Sequence, residues 1–240
     1  THPTDKNNMY RIWDEMRKTN DIVDTYVEEP QDDKDPLHRV IHFKELQKNN
    51  SDVIGWLYIP DTKIDEPILK GKDNDSYLYT DIYKKSNKAG AIFIDKINEK
   101  DFKDDNTIIY GHNMKNGSMF AQLKKFTQDE ETYKKSKYFW IFTPEKTYRY
   151  EIISAYTTAV NSDTYTLFKG PGQEFVDYMN KIVSYSDVKT TPGELGVDDK
   201  IVTLSTCTGN ESTRYVVQGK RVDTLDVVKK SDSTKQTGDN

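Results

Sequence analysis

The chain has 240 residues, 34% hydrophobic and 31% charged, with 16 Tyr, 9 Phe and a net charge of −5. That length holds one substantial domain plus appendages, and the aromatic rings supply buriable surface in an otherwise polar chain. The acidic balance, with lysines scattered among acids, excludes a general nucleic-acid binder; the single cysteine excludes an internal disulfide; no stretch approaches the ~20 apolar residues of a membrane span.

Met9, Ile12, Trp13, Met16, Val23 and Tyr26 recur at helical spacing, which predicts a helix over Thr4 to Val27. The acidic stretch Glu28 to Lys34, which contains Pro30, breaks it. Asp35-Pro36 then has the form of an N-cap and first helical residue, predicting a second helix through Leu37, Val40, Ile41 and Lys44 to about Gln47.

From Val53 the pattern becomes β. Strands are expected at Val53 to Ile59, Lys63 to Leu69 (an edge, because of Pro67), Ala89 to Ile94 and Thr107 to Tyr110. Short helices are expected at Asp73 to Thr80, Ser118 to Phe126 and Asp129 to Ser136. Tyr138 to Phe142 and Thr147 to Val160 form a hairpin pattern, and a long polar connection, Asn161 to Gly172, follows. Gln173 to Ser184 is amphipathic through Phe175, Val176, Met179, Ile182 and Val183. The residues from Leu225 to Asn240 have the composition of a disordered tail. No signal peptide is visible and the chain begins at Thr1, as in a fragment or processed form.

Ile201 to Cys207 is a strand pattern that holds the lone cysteine. Alternation puts Val202, Leu204 and Thr206 on one face, read as core, and Thr203, Ser205 and Cys207 on the other, read as the floor of a groove. A loop at Thr208 to Thr213 leads to a second strand, Arg214 to Lys220. A simple hairpin pairs Leu204 with Val217 and sets Arg214 beside Cys207; a bulge would undo that register. A lone thiol is either a small buried hydrophobe or a nucleophile, and a nucleophile needs a base or cation. His112, after a strand and Gly111, is the histidine placed to serve, though a histidine that only hydrogen-bonds within a loop has the same pattern. His38 and His42 stand four apart on a predicted helix but lack further ligands at metal-site spacing, so no metal and no cofactor is expected.

These residues resemble a known family. Thr203-Leu204-Ser205-Thr206-Cys207 matches the sortase motif threonine-leucine-any-threonine-cysteine, Arg214 matches the sortase arginine, and Thr107 to Met114 matches the segment around the sortase histidine. The chain resembles class B sortases over about residues 35 to 222, including Gly55-Trp56, Gly71 to Asp75, Ala89 to Phe93, Tyr110 to Gly117 and Val217 to Lys220.

The resemblance implies a mostly β fold: a closed eight-stranded β-barrel with N-terminal helices and an extra helix before the cysteine strand. It divides the chain into a helical segment packing on the barrel (1–50), the catalytic barrel (51–224) and a tail (225–240). It implies a membrane-anchored cysteine transpeptidase on the extracellular face of a Gram-positive cell, with the anchor upstream of this chain. Cys207 would attack a sorting-signal peptide of a secreted protein, His112 would move the protons, and Arg214 would hold the substrate or its oxyanion. A peptidoglycan precursor amine would accept the product; a pilin lysine or water are the alternatives. Asn74, Leu78, Tyr110 and Ser205 fall where the class contacts its peptide. Tyr165 and Thr166 are further candidates, although the class usually has an aliphatic residue where Thr166 stands.

Overall fold

The structure is a computed structural model that describes residues 22–31, 35–170, 172–206 and 212–228. Most of the predicted helix over Thr4 to Val27, Cys207 itself and the tail beyond residue 228 lie outside the described residues.

Eight strands close a barrel: β3 (Val53–Tyr58), β4 (Asp65–Leu69), β5 (Ile92–Ile94), β6 (Asn106–Gly111), β7 (Tyr138–Phe142), β8 (Lys146–Ala159), β9 (Ile201–Thr206) and β10 (Thr213–Asp226). The order around it is β10-β8-β7-β3-β4-β5-β6-β9, with β9 returning to β10. Neighbours are antiparallel except β4 with β5 and β6 with β9. Alternation along each strand separates an inner from an outer set. Leu57, Ile68, Ile92, Ile109, Ile141, Val202, Leu204 and Val217 fill the inside. Two outer faces are covered. Trp56, Leu69, Phe93 and Phe142 pack against the N-terminal residues Tyr26, Phe43 and Leu46. Ile153, Tyr156, Ile201 and Val216 pack against Phe175, Met179 and Ile182 of the long helix, Gln173–Ser184, which matches its predicted bounds.

Several local expectations are corrected. Residues 22–26 are helical, but Val27 opens a two-residue strand, β1 (Val27–Glu28), paired with β2 (Val40–Ile41). The second predicted helix is therefore split. Asp35 caps a 3₁₀ turn at Pro36–His38, accepting from Leu37 N at 3.0 Å, and the α-helix α1 (Phe43–Asn49) starts only after the β-branched pair. Asp73 to Thr80 is a set of turns rather than a helix. The Asp73 carboxylate takes the amides of Asp75 and Ser76 at 3.0 and 2.8 Å, so its side chain competes with helical bonding. Ser118 to Phe126 is a 3₁₀ turn at Phe120–Leu123 that passes into α2 (Lys124–Gln128), with α3 (Glu130–Lys135) next. Pro67 is not on an edge strand. It pairs with Trp56 on one side, and the ladder to β5 begins one residue later, at Ile68. Its missing N–H therefore breaks no rung. At the other end β10 runs through Asp226, two residues past the boundary expected at 224.

Candidate active site

Three adjacent strands build the site: β9 in the middle, β6 parallel on one side and β10 antiparallel on the other. The hairpin register expected from sequence is present, with Leu204 opposite Val217 inside the barrel and Ser205 opposite Val216. On the other flank Tyr110 pairs with Ser205 and Gly111 with Thr206. Thr206 Oγ1 accepts from Tyr215 N at 3.1 Å, which ties the end of β9 to β10.

His112 follows β6 directly and is half-buried. Its Nε2 meets the carbonyl oxygen of Leu78, a contact in which only the imidazole can donate. Its ring lies 5.3 Å from that of Tyr79, and its carbonyl accepts from Phe120 N at 2.8 Å. Gly111 is required beside it, because a Cβ there would stand 2.7 Å from the Phe120 ring. Arg214, also half-buried, is the second residue of β10 and stands opposite Thr158 of β8. Its guanidinium donates to Thr213 O at 2.8 Å.

The predicted peptide contacts fall into two groups. In the first, Asn74 and Tyr110 are joined through Asp95, which sequence reading did not single out. Asn74 Nδ2 and the Tyr110 hydroxyl donate to the same carboxylate oxygen at 3.1 and 2.9 Å. Asn74 Oδ1 also accepts from Lys96 N at 2.8 Å. Leu78 is half-buried on the turn and packs against the outer cluster that holds Tyr110. In the second, Ser205 is fully buried and not an open groove floor: its hydroxyl lies 2.8 Å from that of Tyr165. Thr166 is exposed at the end of the 3₁₀ turn Asp163–Tyr165.

That turn is held down by a buried polar network that sequence reading also missed. Asn106 Nδ2 donates to Thr166 O at 3.0 Å, and its Oδ1 accepts from Thr203 at 2.8 Å. Gln218 Nε2 donates to Thr203 Oγ1 and to the Tyr178 hydroxyl at 2.9 and 3.0 Å, while Tyr156 donates to Gln218 Oε1 at 2.7 Å. Tyr178 in turn donates to Thr164 O. Burial drives the Tyr178 and Tyr156 hydroxyls well above the usual phenol range. The only signal in the sequence was polar residues, Thr203 and Gln218, at outward positions of otherwise apolar strands.

Away from this site His42 Nε2 lies 3.2 Å from Glu28. Among the described residues no cluster of His, Cys, Asp and Glu has the makings of a metal centre, and no helix is long and apolar enough to cross a membrane.

A model of the sortase domain family matches residues 57–222. Over 182 residues the chain is 41% identical to sortase B of Listeria monocytogenes, covering 75% of this chain and 73% of the relative. Sortase B of Staphylococcus aureus is 33% identical over 218 residues, covering 82% and 86%. A crystal structure of sortase B from B. anthracis superposes with a TM-score of 0.74 at 33% identity, covering 89% of this chain and 97% of that one.

Proposed function

The chain belongs to the sortase family, in its class B, and is a cysteine transpeptidase; on that premise we propose that Cys207 is its nucleophile, His112 its proton carrier and Arg214 its electrophilic support. One observation carries this reading. The β6–β9 ladder ends at Gly111↔Thr206, and the β9–β10 ladder includes Ser205↔Val216. If the registers were continued, one step on the first flank and two on the second, 112, 207 and 214 would fall in one row. Strands lie about 4.8 Å apart, so a thiol in the middle would have an imidazole and a guanidinium as lateral neighbours on the outer face.

The chemistry follows from those roles. The Cys207 thiolate attacks the scissile carbonyl carbon of a sorting-signal peptide. As the tetrahedral adduct collapses, the C–N bond breaks and protonated His112 gives its proton to the departing amine, leaving a thioester. An acceptor amine then attacks the thioester, His112 takes its proton, and the thiolate leaves. With Nε2 held by Leu78 O, Nδ1 is the nitrogen that exchanges the proton. Arg214 stays charged and presents a rigid donor fork to the substrate backbone or the oxyanion.

Asn74, Leu78 and Tyr110 would line one side of the peptide groove, with Tyr165 and Thr166 on the other. Ser205 serves by holding Tyr165 rather than by reaching the peptide itself. The acceptor would be a peptidoglycan precursor amine, and the enzyme would work on the extracellular face of the membrane through an anchor upstream of this chain. Residues 1–50 would pack on the barrel, 51–226, to the end of β10, would form the catalytic unit, and the remainder a tail.

The test is a screen of sorting-like peptides by mass analysis of the intact protein. A thioacyl adduct should form with the unmodified chain and be absent from Cys207→Ala, whose circular dichroism should stay unchanged. Cleavage by Cys207→Ala at the normal rate would refute the assignment. Hydrolysis that no added amine diverts would replace transpeptidation with proteolysis.

A further inference from the structure

Behind His112 lies a second cavity with a chemistry of its own. β4 pairs with β5 only at Ile68 and Leu69, so its first half and residues 87–91 stand apart. The gap is a cleft walled by Pro67, Ile82, Ala89, Ile92 and Met119. It reaches the residues around His112 at two points. Met119 bridges to Asn113, the residue after His112. Gly90, at φ +59°, lies so close to the Leu78 carbonyl that a Cβ there would stand 2.4 Å from its oxygen. That carbonyl is the one His112 contacts.

The cleft also contains Glu66. This residue stands opposite Leu57, so alternation turns it inward, toward the core side, while Asp65 turns outward to Arg39 and Trp56. Glu66 is 8% exposed and has no hydrogen bond or ion pair with any described residue. Burial, with the neighbouring Asp65 charge second, pushes its carboxyl up to about 8. A carboxyl this far from bulk water is costly to ionise, and its oxygens, not fully enclosed, can be reached from the cleft. Asp81 and Asp65, the latter already forked by Arg39, line the same cleft, and its described walls include no Lys or Arg. The complementary ligand therefore has a compact cationic head with several donors and an apolar stem.

We infer that this cleft is a binding subsite for a primary alkylammonium group, with Glu66 as its carboxylate partner and the apolar walls around its stem. The inference rests on the transpeptidase reading in naming the source of that group: an amine-bearing acceptor entering from behind the imidazole, opposite the peptide groove.

The test is isothermal titration of 1-aminobutane into the unacylated 240-residue chain at pH 7, in two buffers of different ionisation enthalpy. A carboxyl titrating at about 8 is mostly protonated at pH 7, so binding should release the larger part of a proton. 1-Butanol, with the same stem and no charge, should bind at least tenfold more weakly. Glu66→Gln, nearly isosteric with the protonated acid, should lose at least tenfold in amine affinity and all of the proton release. Absence of a saturable site, equal binding of the alcohol, or unchanged affinity in Glu66→Gln would each overturn the inference. Because no turnover is needed, these results stand even where peptide acylation fails. With a donor peptide that acylates the enzyme, an unchanged KM for 1-aminobutane in Glu66→Gln would overturn the link to the acceptor.

Discussion

Glu66 shows at the residue scale how a single side chain sets a property of the whole. Its carboxyl titrates at about 8 in the folded chain, raised by burial and then by Asp65. An unfolded glutamate titrates near 4.3. The folded state therefore binds the proton more tightly, and this stabilisation is fully present below about pH 4 and lost as pH rises through about 8. Between those limits the contribution should fall by up to about 1.4 kcal/mol per pH unit. Urea midpoints measured from pH 5 to 9 should show that decline, and Glu66→Gln should flatten it and be the more stable chain at pH 9. Parallel profiles for the two proteins would mean that the carboxyl is solvated. Residues such as His112 and Arg214 could be singled out from the sequence because a motif surrounds them. Glu66, Asp95 and the Tyr165–Ser205 pair were not, because their partners come from segments distant along the chain.

Elements were legible where local pattern and tertiary demand agree. The helix Gln173–Ser184 buries Phe175, Tyr178, Met179 and Ile182 along one stripe, so its periodicity gave its bounds. The stretch 35–47 failed because Val40 and Ile41 pair with Val27 and Glu28, a contact that no local window contains. The network around Tyr178 is the clearest tertiary device. It joins that helix to β6, β9 and β10 and fastens the turn that carries Tyr165 and Thr166. Tyr178→Phe keeps the ring packing but strips a partner from Thr164 O and from Gln218. Asn106 Nδ2 loses a third contact, and leaving these buried polar groups short should cost about 1–3 kcal/mol in urea unfolding. As the turn loosens, KM for the donor peptide should rise about fivefold or more, with a smaller fall in kcat. A loss of stability with KM unmoved would make Tyr178 a packing residue only.

For the molecule as a whole, the parallel pairs β4–β5 and β6–β9 have no local signature, so barrel closure entered the sequence reading only through resemblance. Closure matters because it inserts β9 between β6 and β10, the arrangement on which the proposed site depends. The opposite wall carries the N-terminal residues, and one side chain fastens them. Arg39 has a side chain 1% exposed and forms a fork to Asp65 at 3.2 and 2.9 Å; its Nε reaches Glu29 at 2.8 Å, and its guanidinium lies 4.1 Å from the centre of the Tyr58 ring. Asp65 also accepts from Trp56 Nε1 at 2.6 Å. The two arms of this pair differ in kind. Asp65 is four-fifths shielded, whereas the Glu29 side chain is 64% exposed and its bond is screened by water. Arg39→Ala should therefore cost about 3–5 kcal/mol, because it strands a shielded carboxylate and empties the space over Tyr58. Glu29→Ala should cost under about 1 kcal/mol. Equal losses from the two substitutions in urea unfolding would show that the exposed arm, rather than the Asp65 fork, fastens the N-terminal residues to the barrel.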